Sequence, residues 1–148
     1  MDMRRVVFLG MILSFFGLAS CDVGDNDTPC ITRPVELFLE FVEEETGENL
    51  YSNNTFEQAD LEITDEDGGD VPFTFIRDLD RTFLQLSLGM EEGERVISIQ
   101  PDAEVSLDIE LTLARLQDSC GSYYISEFDV TNYDYDQDGF PGVVRILF

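Results

Sequence analysis

Apolar and polar residues alternate without a break over residues 104–113, and this period of two constrains the fold more than any other feature of the chain. Successive side chains of a β-strand point to opposite faces, so the alternation predicts a strand with one buried and one solvent-facing side. The predicted inward residues are Val105, Leu107, Ile109, Leu111 and Leu113.

Shorter alternations of the same kind recur from residue 35 to the C-terminus, separated by Gly, Asn and Asp turns at residues 46–49, 65–70 and 89–94. Each such strand has an apolar face that a second layer must cover. We therefore predict an all-β fold, an antiparallel β-sandwich of Ig-like or transthyretin-like type with about seven or eight strands. The predicted strands cover residues 35–41, 61–64, 71–75, 83–88, 95–100, 105–113, 123–130 and 143–148.

Composition excludes several classes of site. The chain has 148 residues, of which 32 are acidic and 8 basic, giving a formal net charge of -24. That length allows one ordinary domain. Because histidine and lysine are absent, a nucleophilic site with an imidazole base, a Schiff-base lysine and the commonest zinc clusters cannot be built. Nucleic acid is excluded as a partner, since phosphate contacts need clustered Lys and Arg.

The first 21 residues carry a targeting pattern. Arg4 and Arg5 precede an apolar run over residues 6–18, and small residues follow it up to Cys21. The run is shorter than the roughly 20 residues that a membrane-spanning helix needs. With Leu18-Ala19-Ser20-Cys21, the segment resembles a bacterial lipoprotein signal with its lipobox. The resemblance implies cleavage before Cys21, which receives a diacylglyceryl group. The alternative is an ordinary secretory signal cut elsewhere.

The resemblance also divides the chain: a signal peptide at 1–20, an acidic tether at 21–30 and the β-sandwich domain at 31–148. Removing residues 1–20 takes away one acidic and two basic residues, so the net charge changes from -24 to -25. The tether has almost no apolar content and cannot order itself. Acidic residues behind the lipidated cysteine accompany inner-membrane retention in some bacteria and surface export in others. We expect a cell-envelope protein at the outer membrane or cell surface rather than the inner membrane.

Two further cysteines, Cys30 and Cys120, remain once Cys21 is assigned to lipid. An even remainder in an exported protein predicts a disulfide between them. The bond would close a loop of about 90 residues, which on the chain-entropy model stabilises the fold by about 4 to 5 kcal/mol. The alternatives are two free buried thiols, or an exposed and unpaired Cys30.

Four short stretches resemble a pattern seen in small lipoproteins of the Bacteroidetes type. The resemblance implies a secreted β-sandwich and carries over no functional residues. The stretches are Glu45-Thr46-Gly47-Glu48-Asn49-Leu50-Tyr51, Asn54-Thr55-Phe56, Asp60-Leu61-Glu62-Ile63 and Cys120-Gly121-Ser122-Tyr123.

One local motif has metal-ligand spacing. Asp134, Asp136 and Asp138 precede Gly139 in the D-x-D-x-D-G order with which a calcium loop arranges its first carboxylates. Position 12 of such a loop falls on Arg145, where an EF-hand needs a bidentate Glu. The motif therefore indicates either a weak extracellular-type Ca²⁺ site, with these three aspartates as ligands, or a polar turn between two strands; we favour the turn.

We interpret the protein as a lipid-anchored envelope module with a binding or structural role and no enzymatic activity. Its expected partners are the membrane, through lipid on Cys21, and a protein or glycan ligand. No cofactor is required on this interpretation. The runner-up is a calcium-stabilised carbohydrate- or protein-binding domain, and a carboxylate hydrolase is a remote third. The acidic excess indicates either adaptation to salt, with charges spread over outer faces, or metal binding, with charges converging on one loop.

Overall fold

A computed structural model describes residues 32–117, 120–137 and 142–148. Within these ranges regular structure is entirely β, in nine strands. They are β1 (Val35–Val42), β2 (Glu62–Asp65), β3 (Phe73–Asp78), β4 (Arg81–Gly89), β5 (Gly93–Gln100), β6 (Leu107–Arg115), β7 (Tyr123–Val130), β8 (Asp134–Asp136) and β9 (Val143–Leu147).

The strands form two sheets, one of five strands in the order β3-β4-β1-β9-β8 and one of four in the order β2-β5-β6-β7. Seven strand pairings build the two sheets of this β-sandwich, and all but one are antiparallel. The exception is β1, which pairs parallel to β9. The predicted sandwich is confirmed, with one strand more than expected and one parallel pair in its larger sheet.

The core lies between the two sheets, as the alternation predicts. On β6, Leu107, Ile109, Leu111 and Leu113 are buried, whereas Glu110 on the opposite face is exposed. Burial of each such side chain contributes roughly 1.5–3 kcal/mol. The other sheet contributes an equivalent row from its central strand, namely Leu37, Leu39 and Phe41.

Segment 49–60, between β1 and β2, closes one end of the core with aromatic rings. Phe41 meets Tyr51 edge to face with ring centroids 5.6 Å apart, and Phe56 packs edge to face on Phe148 at 5.4 Å. Aromatic pairs in this geometry add about 0.5–1.5 kcal/mol beyond the area that they bury. The segment is therefore anchored to the sandwich although it contains no strand.

The turn between β2 and β3 is built by Asp65. Its Oδ1 accepts hydrogen bonds from the backbone N–H groups of Asp67 and Gly69, at 3.1 and 2.6 Å. A Cβ on Gly69 would lie 2.9 Å from Asp65 Oδ2, and Gly68 has a φ of +77°, so both positions favour glycine. This acidic stretch is the solvated turn that the sequence predicts.

Candidate functional site

Two of the three predicted calcium ligands lie on a strand. Asp134 and Asp136 belong to β8, which pairs with β9, and Asp138 lies outside the described residues. The sequence favoured a polar turn over residues 134–139, and for residues 134–136 that prediction was wrong. Asp136 Oδ2 accepts a hydrogen bond from Arg145 Nη1 at 3.4 Å. In the described ranges no three carboxylate or cysteine side chains come together as a metal site.

One of the three cysteines, Cys120, lies within the described residues. Cys21 and Cys30 lie outside the described residues, so lipidation and the disulfide stay predictions at those positions. Cys120 is half-buried and lies three residues before β7.

A buried carboxylate on the central strand of the larger sheet is the most distinctive polar feature of the molecule. Glu40 is 1% exposed and lies on the face of β1 opposite Leu39 and Phe41. Its Oε1 accepts hydrogen bonds from Arg81 Nε at 2.6 Å and Asn49 Nδ2 at 3.2 Å. Its Oε2 accepts a second bond from Arg81, through Nη2. A charge this deep is tolerated only when paired and hydrogen-bonded.

The ion pair continues across the sheet in strand order. Arg145 on β9 is the parallel neighbour of Glu40, with its Nε 3.8 Å from Glu40 Oε2. Arg145 in turn pairs with Asp136 on β8. We call Glu40, Asn49, Arg81, Asp136 and Arg145 the Glu40 cluster. Its charges alternate in sign from β4 to β8, so each of these four neighbouring strands is held to the next.

Asn49 joins this cluster to segment 49–60. Besides Glu40, its Nδ2 bonds the backbone oxygen of Thr82 at 2.9 Å, while its Oδ1 accepts from Ser52 N at 2.9 Å. The Ser52 and Thr82 hydroxyls lie 3.0 Å apart. A surface hollow of about 410 Å³ lies over these groups, with Glu48 and Asp80 at its border.

The ion pairs of the Glu40 cluster hold neighbouring strands together. The hydrogen bonds to Glu40 raise the pKa of Arg81, an effect larger than the opposing one of burial. A general acid or base must reach a substrate proton, whereas both oxygens of Glu40 are engaged by Arg81 and the side chain is almost inaccessible. The arrangement holds strands together and offers no carboxylate pair to a sugar or peptide.

The period of two in residues 35–41 predicts that Glu40 lies on the polar face of β1, and it does not predict the burial of this side chain. The signal available was indirect: six arginines follow residue 30 in a chain without lysine, and Arg is the residue suited to buried, bidentate pairing.

The sequence leaves two interpretations of Tyr123, Tyr124, Tyr133 and Tyr135, a surface that stacks on sugars or packing on the sheet, and it favours packing. Tyr133 stacks on Phe148 with centroids 4.4 Å apart, and Tyr135 meets Phe128 edge to face at 5.2 Å. The Tyr135 hydroxyl also donates to the backbone oxygen of Phe128. Tyr124, by contrast, is 42% exposed. Two of the four tyrosines therefore pack on the sandwich, as the packing interpretation predicts.

A second concave surface is strongly acidic. A cleft of about 380 Å³ lies beside the turns β2–β3 and β4–β5, with Val71 and Leu88 among its apolar walls. One arginine, Arg95, faces it. The carboxylates that line it are those of Asp65, Glu66, Asp67, Asp70, Glu91, Glu92 and Glu94.

Fold and site together define an all-β sandwich braced by an internal ion cluster. No protein-family model matches the chain, and no curated protein or solved structure is significantly similar to it. The finer assignment as Ig-like or transthyretin-like therefore stays a prediction. In the part of the chain that the structure describes, no helix is long and apolar enough to cross a membrane.

Proposed function

We propose that this protein is a lipid-anchored module of the bacterial cell envelope with a binding or structural role rather than an enzymatic one. The observation that carries the proposal is the order of elements along the chain. A charged start, a short apolar run and Leu18-Ala19-Ser20-Cys21 stand directly ahead of a β-sandwich that begins at Val35. In lipid-anchored proteins, the signal segment and the lipidated cysteine precede the folded domain in this order.

The distance from Cys21 to Val35 fits such an anchor. Val35 lies 14 positions after Cys21, and a fully extended chain spans at most about 3.6 Å per residue, or about 50 Å in all. The intervening acidic residues are repelled by an anionic leaflet. A tether of this length and charge would present the domain away from the lipid headgroups at the outer membrane or cell surface.

A disulfide between Cys30 and Cys120 is part of the same proposal. The first residues of β1 and the middle of β7 border one surface hollow, which is lined by Glu36, Leu37, Ile125 and Ser126 among others. Cys30 precedes β1 by five residues and Cys120 precedes β7 by three. The bond would therefore join the entrances of two neighbouring strands that belong to different sheets.

A non-enzymatic role is favoured by how the buried charges are used. The most deeply buried carboxylate, Glu40, is taken up by Arg81 and Asn49. The acids of the cleft beside β2 are exposed and lie on the turns or at the adjoining strand ends. A glycoside hydrolase needs two carboxylates at a fixed separation with one held protonated, whereas both oxygens of Glu40 accept hydrogen bonds from Arg81. The module binds a protein or glycan ligand, or has a structural role.

The test is the mass of the protein purified from a lipoprotein-processing bacterium. We expect cleavage before Cys21 and the added mass of two or three acyl chains, with recovery in the detergent phase. Cys21→Ser should abolish the acyl mass, while the matched control Cys30→Ser should keep it. An uncleaved leader, or an unmodified Cys21 in material that is otherwise processed, would refute the anchor.

A further inference from the structure

Leu79 stands out at the tip of the hairpin that joins β3 to β4. Its φ is +52° and its side chain is 88% exposed. Two other described residues that are not glycine share a positive φ, and both are asparagines, Asn54 and Asn132. Asparagine tolerates this region of backbone space, whereas a branched aliphatic residue is strained there.

The register of the hairpin explains the strain. Asp78 pairs with Arg81, which leaves Leu79 and Asp80 as a two-residue loop. Two-residue hairpin loops favour Asn, Asp or Gly where φ is positive. Leucine is therefore unfavourable here for the backbone, and its side chain buries little apolar area in return. Nothing in the fold of the hairpin requires an apolar side chain at this position.

The tip of the hairpin is held in place by Arg81 and by the pairing of β3 with β4. Arg81, the first residue of β4, is fixed by its two hydrogen bonds to buried Glu40, and its guanidinium lies 5.4 Å from the ring centroid of Phe83. Every residue of β3 pairs with β4. An apolar side chain on a pre-organised support loses little conformational freedom on binding, which is the property of interaction hot spots.

The surroundings define the chemistry of a partner. Asp78 and Asp80 flank Leu79 and are exposed, and Glu48 lies across the adjoining hollow from Asp80. Arg77 is the exposed cation of the same hairpin. With three carboxylates and one arginine, the surface around Leu79 has a net negative charge.

We propose that Leu79 is a docking residue that inserts into an apolar pocket, bordered by Lys or Arg side chains, on a protein partner. The inference rests on the binding role proposed above and adds the surface and the class of partner. A second copy of this chain is disfavoured, because it has a net charge near -25 and its Arg81 and Arg145 are committed to Glu40. A single leucine with an acidic rim is equally unsuited to an anionic lipid surface.

The experiment places a photoreactive, diazirine-bearing aliphatic residue at position 79 of the full chain in its native host. The matched control carries the same residue at position 90, since Met90 is also exposed, at 43%, in a loop of the same sandwich. We expect a protein cross-link that depends on light and on position 79. The cross-linked protein is then purified and titrated with wild type, Leu79→Asn and Met90→Asn.

Leu79→Asn should weaken binding about 10- to 100-fold, as expected for one buried leucine, while raising the melting temperature because the backbone strain is relieved. Met90→Asn should leave the Kd unchanged, and the affinity of wild type should fall as salt rises. Cross-links to phospholipid, to this chain itself or equally from both positions would overturn the proposal, as would equal affinity of Leu79→Asn. If Cys21 is acylated in the same cells and no cross-link forms, the docking proposal is refuted and the lipid-anchor proposal is retained. If the cross-link forms and Cys21 is not acylated, only the lipid-anchor proposal is refuted.

Discussion

Arg81 Nε donates a hydrogen bond of 2.6 Å to Oε1 of Glu40, a residue 41 positions earlier, and the same guanidinium bonds the other oxygen of that carboxylate. The pair joins β4 to the central strand of the larger sheet. Removal of Arg81 would leave the buried Glu40 carboxylate without the partner that bonds both of its oxygens.

The first prediction concerns this pair. Arg81→Met should lower the free energy of unfolding by about 3 kcal/mol, because it leaves Glu40 buried with only the more distant Arg145. The double variant Glu40→Leu/Arg81→Met should recover most of the loss, since no charge remains unpaired. Urea unfolding measures both. Arg95→Met is the control: Arg95 pairs with the exposed Glu91, and its loss should be below about 1 kcal/mol. Equal losses of unfolding free energy in Arg81→Met and Arg95→Met would contradict the proposed role of the Glu40–Arg81 pair.

A second prediction concerns Tyr51, whose buried hydroxyl has no hydrogen-bond partner among the described residues. Burial, with a smaller effect from Asp102, raises its pKa above the ordinary value near 10. The folded state therefore keeps the proton that the unfolded chain releases, so stability is full below pH 10 and falls as pH rises above it. Tyr51→Phe should move the alkaline unfolding midpoint upward and stabilise by about 1 kcal/mol at pH 7. An unchanged alkaline midpoint would show that Tyr51 is not the titrating group.

Salt dependence is the third prediction. Glu110 on β6 lies directly opposite Asp129 on β7, and both are exposed. Like charges in this position destabilise by roughly 0.2–1 kcal/mol, and salt screens them as the Debye length shrinks to about 3 Å at 1 M. Glu110→Gln should raise the melting temperature at low salt and have little effect at 1 M NaCl. Glu36→Gln, opposite the uncharged Ser87, is the control, and a matching response there would exclude the pairwise explanation.

The fourth prediction concerns calcium. Asp136 is already paired with Arg145 on the neighbouring strand, so we expect no binding heat and no shift in melting temperature with millimolar CaCl₂. Calorimetric titration of the protein after chelator treatment measures this. A one-to-one binding isotherm that Asp138→Asn abolishes would instead support the calcium-stabilised alternative.

The fifth prediction tests the disulfide. Peptide mapping without reductant should recover Cys30 and Cys120 in one linked species. Cys30→Ala/Cys120→Ala should then lower the free energy of unfolding by about 2–5 kcal/mol. Adding reductant to wild type should cause the same loss and should not affect the double variant. Separate peptides without reductant would support the free-thiol alternative.

Local pattern determined the strands and the layer architecture. The alternation at residues 104–113 predicted the buried face of β6, because side-chain direction in a strand depends only on a period of two. The turn at Asp65 was predicted for a similar reason, since its hydrogen bonds reach only two and four residues ahead. Both features are set by neighbours in sequence.

Tertiary structure decided the remainder. β8 has three residues, two of them aspartates with low strand propensity, and it is a strand because β9 pairs with it. The parallel pairing of β1 with β9 joins residues about 105 positions apart, which no local pattern encodes. The burial of Glu40 needed Asn49, Arg81 and Arg145 to arrive from three other parts of the chain. Periodicity thus determined which face each side chain occupies, and only the assembled sheets determined which of those faces exclude water.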